Sequence, residues 1–162
     1  MKIKTEKSTY REVMARERNE RKKPVRPNIL FRSLIYILSQ PSMRKTHFSV
    51  RKKGMEKLGK MEPCLVLMNH SSFIDLKIAS TLLYPRPFNI ICEADGFVGK
   101  EWLMRQIGCI PTHKFVSETA LVKDMMYTVR TLKSSILLYP EASYSFDGTS
   151  PTPLPERLVK CI

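Results

Sequence analysis

His70 and Asp75 are the two residues whose types and spacing most readily do chemistry. They lie in Asn69-His70-Ser71-Ser72-Phe73-Ile74-Asp75, directly after the apolar run Leu65-Val66-Leu67-Met68, which has the length and composition of a strand. Beyond them Ile74, Ile78 and Leu82 recur four apart, with Leu76 and Leu83 close by, the pattern of a helix with a broad apolar face. A histidine ending a strand, with an aspartate opening the next helix, lets the carboxylate orient one ring nitrogen. The other nitrogen can then take a proton from a substrate hydroxyl, since imidazole titrates near neutral pH. Taken alone, a structural histidine and a helix-capping aspartate are the plainer reading. Ser71 and Ser72 offer hydroxyls, but no Gly-x-Ser-x-Gly elbow surrounds them, so they read as helix-start residues.

Two further segments change that balance. Gly108-Cys109-Ile110-Pro111-Thr112-His113-Lys114 comes next, then Tyr139-Pro140-Glu141-Ala142-Ser143-Tyr144-Ser145. His-x4-Asp, then Gly-x-Ile-Pro-x-x-basic, then aromatic-Pro-Glu, in this order and spacing, resembles the glycerolipid acyltransferase superfamily. The resemblance is greatest to the bacterial 1-acylglycerol-3-phosphate acyltransferases. It implies a glycerol-3-phosphate acyltransferase-like domain that moves a fatty acyl group from a thioester to a glycerolipid hydroxyl, directly and without an acyl-enzyme. Acyl-CoA or acyl-carrier protein would be the co-substrate, with no further cofactor. His70 would be the general base and Asp75 its orienting partner.

By the same resemblance the second segment is expected to turn so that Lys114 faces the substrate phosphate, with Gly108 and Pro111 shaping the turn and Arg105 as a second cation. His113 is a neighbour of that group. Glu141 would help orient the acceptor. The sequence also departs from the family pattern. Lys114 stands where relatives carry Arg, which gives up the planar bidentate fork. Ala142 replaces a Gly and Tyr144 replaces an Arg. These changes open a second reading, an acyltransferase for another lysophospholipid, and a third, an inactive or divergent membrane-binding fragment.

The elements that must position these residues follow from periodicity. Strands are expected at 64–68, 88–92 and 134–139, with helices at 72–83, about 99–106 and 118–133. Strands alternating with helices predict an α/β fold, a largely parallel sheet covered by helices, whose ligand sites gather at the strand C-termini. A short edge strand is expected at 46–50, with His47 a surface or edge residue, and a short helical linker at 55–60. Asn28 is expected to cap a very apolar helix of roughly 13 residues that Pro41 closes, too short for the 20 or so needed to cross a bilayer. Before it, residues 9–23 favour a charged helix with only a thin apolar stripe.

Charge is distributed unevenly over the 162 residues: the net +13 is carried entirely by residues 1–60, with 18 Lys or Arg against five acids. Such an arm meets an anionic surface, either membrane lipid or nucleic acid. The motifs decide for an anionic membrane surface met by residues 1–45, with no nucleic acid expected, and a peripheral location on the cytoplasmic face of the plasma membrane. Scattered Cys64, Cys92, Cys109 and Cys161 read as reduced thiols, and no metal-ligand spacing is present. The expected division is a helical arm over 1–43 and an acyltransferase domain over 44–162. Relatives continue into a further strand with a valine-proline motif that nothing here matches. The sequence is therefore expected to be C-terminally truncated, and poorly soluble or inactive by itself.

Overall fold

The computed structural model describes residues 22–54, 57–71, 74–93, 99–112 and 119–140. Among these the elements run α1 (Ile29–Lys45), β1 (Leu65–Leu67), α2 (Ile74–Leu83), β2 (Phe88–Glu93), α3 (Glu101–Ile107), β3 (Cys109–Thr112), α4 (Thr119–Arg130) and β4 (Ser135–Leu138). The strands form one sheet in the order β1-β4-β2-β3, and each neighbouring pair is parallel. Parallel neighbours require crossovers, which α2, α3 and α4 supply in turn. The fold is thus the expected mixed α/β arrangement, a parallel sheet covered by helices. The inner strands carry the burial this demands: Ile136 and Leu137 on β4 and Asn89 on β2 are all at 0% exposure.

Buried polar groups tie the surrounding chain to the sheet. Asn89 Nδ2 donates to the Val25 carbonyl at 2.9 Å, which holds the segment before α1 across β2. Arg86, only 8% exposed, donates to the carbonyls of Glu62 and Gly59 and so clamps the loop that enters β1.

Several expectations are corrected. Pro41 does not close the first helix. It lies inside α1, which continues for 17 residues to Lys45. The lost backbone bond is offset because the next turn packs: Met43 is 5% exposed and Lys77 Nζ donates to Ser42 Oγ at 2.7 Å. Residues 46–50 form no strand, because the first of them close α1. Thr46 N–H and Phe48 N–H bond back to the Ser42 and Met43 carbonyls, and His47 turns with φ at 49°. Of the short helical linker expected at 55–60, Lys57 lies in a 3₁₀ turn, residues 58–60 bend and turn with Arg86 holding the Gly59 carbonyl, and 55 and 56 lie outside the described residues. Of the segment read as a turn, Gly108 to Lys114, residues 109–112 are instead edge strand β3, and 113 and 114 lie outside the described residues. The strand accommodates Pro111 opposite Cys92 because an edge strand leaves one side of its backbone unpaired. The charged helix expected at 9–23 falls almost wholly outside the described residues.

α1 lies on α2 through one face, where Tyr36 stacks on Tyr84 at 4.4 Å and Arg32 Nη1 donates to the Pro85 carbonyl at 2.7 Å. Among the described residues no helix is long and apolar enough to cross a membrane.

Gly108 ends α3 in the left-handed region, at φ 98°. A Cβ there would run into the Pro27 ring and come within 3.2 Å of the Phe88 carbonyl. Gly108→Ala should therefore cost about 2–4 kcal/mol, read as a lowered midpoint in urea unfolding. A change below about 0.5 kcal/mol would show that the α3–β3 corner tolerates a side chain.

Candidate active site

All four strands run the same way, so their C-terminal ends share one rim of the sheet. His70 follows β1 at that rim. Asp75 lies in the first turn of α2 and is 2% exposed. The tight passage from strand to helix brings His70 Nδ1 to 2.9 Å from Asp75 Oδ2, while the Ser71 backbone N–H donates to the same oxygen at 2.8 Å. Two donors converging on one carboxylate oxygen fix its direction. Since a carboxylate accepts, Nδ1 carries the hydrogen and Nε2, across the ring, carries the lone pair. The histidine is 26% exposed against 3% for its partner, so the pair presents its imidazole outward and keeps its carboxylate inside.

The third motif reaches this pair through the sheet. Leu67 on β1 is in register with Leu138 on β4, and Met68 N–H extends the pairing to the Leu138 carbonyl. Tyr139 is thereby placed against His70, rings stacked with centroids 4.3 Å apart and planes 28° apart. An aromatic face against an imidazole restricts its rotation and favours the cation that forms when Nε2 takes a proton. In the sequence Tyr139 stands only as the aromatic of its motif, with no task of its own. The aromatic before Pro140 was the available signal, but the contact depends on a strand pairing between residues some 70 positions apart.

The other site residues are distributed differently. Arg105 lies in the last turn of α3, Gly108 caps that helix, and Pro111 stands on β3 at the opposite edge of the sheet from β1. Three strand spacings of about 4.8 Å put β3 roughly 14 Å across the sheet from β1. Gly108 has a packing task under Pro27, described above. Lys114 and Glu141 lie outside the described residues; the chain enters their segments from the end of β3 and from Pro140, both at the rim that carries His70.

Cys109 is buried, and the contact with the Cys92 thiol, reinforced by burial, raises its pKa far above the usual thiol range, so it stays protonated and is a poor nucleophile. Among the described residues no group of three or more His, Cys, Asp or Glu could hold a metal ion. A small cleft lies elsewhere, between α1, α2 and the start of β2, lined by Arg32, Ile35, Ser80, Tyr84 and Phe88 among others.

A parallel α/β domain with a buried aspartate holding an outward-facing histidine at the strand C-termini has the parts of a general-base hydroxyl-activating site. The model of the Acyltransferase family matches residues 49–154, well over half of the chain, and the chain belongs to that family, within the glycerolipid acyltransferase superfamily. No curated protein and no solved structure matches it.

Proposed function

We propose that the protein transfers a fatty acyl group from acyl-CoA or acyl-carrier protein to the hydroxyl of a lysophospholipid, with 1-acylglycerol-3-phosphate as the first acceptor to test. The observation that carries this reading is the 2.9 Å His70–Asp75 pair within a chain of the Acyltransferase family. His70 Nε2 takes the proton of the acceptor hydroxyl as its oxygen attacks the thioester carbonyl. Asp75 stabilises the imidazolium so formed. When the tetrahedral intermediate collapses, the C–S bond breaks and the imidazolium proton passes to the leaving thiolate, which restores the base. No covalent acyl-enzyme is required.

Lys114 is assigned to the acceptor's anionic group, with Pro111 leading the chain towards it and Glu141 orienting the glycerol part. Arg105 and Gly108, beside the starts of β3 and β2, stand at the other end of the strands from His70 and are given no part in it. Residues 44–162 carry the catalysis and residues 1–45 the membrane contact. That contact is with the anionic surface of the cytoplasmic leaflet. The replacement of the family's Arg by Tyr144 and of its other Arg by Lys114 supports a second reading, in which the acceptor's head group is not a bare phosphomonoester.

The test is thioester consumption by the purified protein, with lysophosphatidic acid beside a lysophospholipid of neutral head group and His70→Ala as control. Turnover that vanishes in the variant is expected, and the preferred acceptor decides between the two readings. Thioester loss equal in wild type and variant would sink the assignment of His70.

A further inference from the structure

We infer that α1 and α3 together form one lipid-docking face, with Trp102 of α3 held at headgroup depth beside an aliphatic stripe of α1. The inference rests on the membrane contact proposed above; it adds a second helix to that contact and fixes which side of the domain faces the lipid.

The stripe is set by helical geometry. Leu30, Leu34, Ile37 and Leu38 are 75%, 50%, 61% and 64% exposed. At 100° per residue they and the exposed Pro41 fall within a band about 100° wide. Ser39 and Met43, at 1% and 5% exposure, mark the opposite, packed side. A surface helix ordinarily turns polar residues outward. Here the outward band holds no charged residue from Leu30 through Pro41, and Lys45 closes it at the C-terminal end.

That band continues onto α3. Phe31 flanks it, and its ring meets the Trp102 indole edge-on with centroids 5.8 Å apart. Trp102 is 67% exposed and Leu103 39%. An exposed indole beside exposed aliphatic side chains suits the boundary between acyl chains and headgroups, where its apolar body and its N–H are both satisfied. Trp102 also stands in the first turn of α3, which the chain enters after the C-terminal end of β2.

Charge selects the occupant. α1 contains no acidic residue and ends in Arg44 and Lys45, and exposed Lys22, Lys23 and Arg26 precede it. Cations at both ends of an apolar band complement an anionic bilayer. A second copy docked on the same face by two-fold symmetry would set cation against cation.

Trp102 is the chain's only tryptophan, so its fluorescence reports this surface alone. The full chain is mixed with vesicles of phosphatidylcholine, with and without phosphatidylglycerol, and with vesicles carrying brominated acyl chains. The expected result is sedimentation with the anionic vesicles, blue-shifted emission, quenching by the brominated chains and iodide quenching reduced about threefold or more. Trp102→Ser should weaken sedimentation about tenfold, with an unchanged far-UV circular dichroism spectrum. Sedimentation with Trp102 still open to iodide would overturn the role of α3 while the membrane contact of α1 stood. No sedimentation would remove both. A blue shift that rises with protein concentration in the absence of lipid would assign the face to a second copy instead.

Discussion

His70→Ala is expected to lower kcat for acyl transfer about a thousandfold or more while leaving the protein folded. The size follows from the role: the hydroxyl is a weak nucleophile, and Nε2 relieves it of its proton only as the new bond forms. KM should change little, because that proton transfer belongs to the transition state rather than to binding. The fold should survive because Asp75 keeps its bond from the Ser71 N–H at 2.8 Å. What it loses is one charge-assisted hydrogen bond, about 1.5–3 kcal/mol. Steady-state kinetics beside a thermal melt separates the two effects. A variant within tenfold of wild type would show that another group takes the proton.

How far the sequence led to this site can be judged element by element. Three of the four strands were legible because Leu65–Leu67, Phe88–Glu93 and Ser135–Leu138 are mostly apolar runs of strand length, while Pro111 hid β3. Their alternation with helical patterns implied the parallel sheet without any long-range information. What local pattern could not supply was strand order. β4 is last among the described strands yet lies second in the sheet, between β1 and β2, and nothing in residues 134–139 says which neighbours they will choose. The errors at the helix ends have a similar cause. Pro41 is a strong local stop signal, but Met43 and Ser42 find partners on the domain, and packing outweighs the one lost backbone bond. The alternation at 46–50 was real, yet the carbonyls ending α1 claimed its N–H groups first.

The pair itself was readable because both members lie within six residues of one strand–helix junction, where geometry is nearly fixed by the local fold. Tyr139 was not, since its place against His70 depends on the β1–β4 register. Gly108 was read as part of a substrate-facing turn from its motif. Its φ of 98° and the Pro27 ring beside it give it a packing task that only the returning N-terminal segment reveals. The apolar outer side of α1 was visible as composition. Its join to Trp102 was not, because a helix pattern alone does not say what lies alongside it.

The contribution of Asp75 divides into charge and position, and two variants tell them apart. The hydrogen bonds from His70 Nδ1 and from the Ser71 N–H both arrive at Oδ2. In Asp75→Asn the amide oxygen should take that place, since turning the NH2 inward would set it against the Ser71 N–H, donor to donor. The tautomer of His70 is thereby preserved and only the negative charge is lost. We expect kcat to fall about a hundredfold, less than where an amide flips the histidine to the wrong tautomer, with stability within about 1 kcal/mol of wild type. Asp75→Ala removes the acceptor itself. The Ser71 N–H and His70 Nδ1–H then lose their partner beside a small void, which should cost about 2–4 kcal/mol and bring kcat close to that of His70→Ala. Kinetics and urea unfolding on the pair of variants check both halves. If the asparagine variant is as active as wild type, charge plays no part and the aspartate only holds the ring. If the alanine variant is fully active too, the pair is a structural bond at a strand end, and the base must be sought elsewhere on the rim.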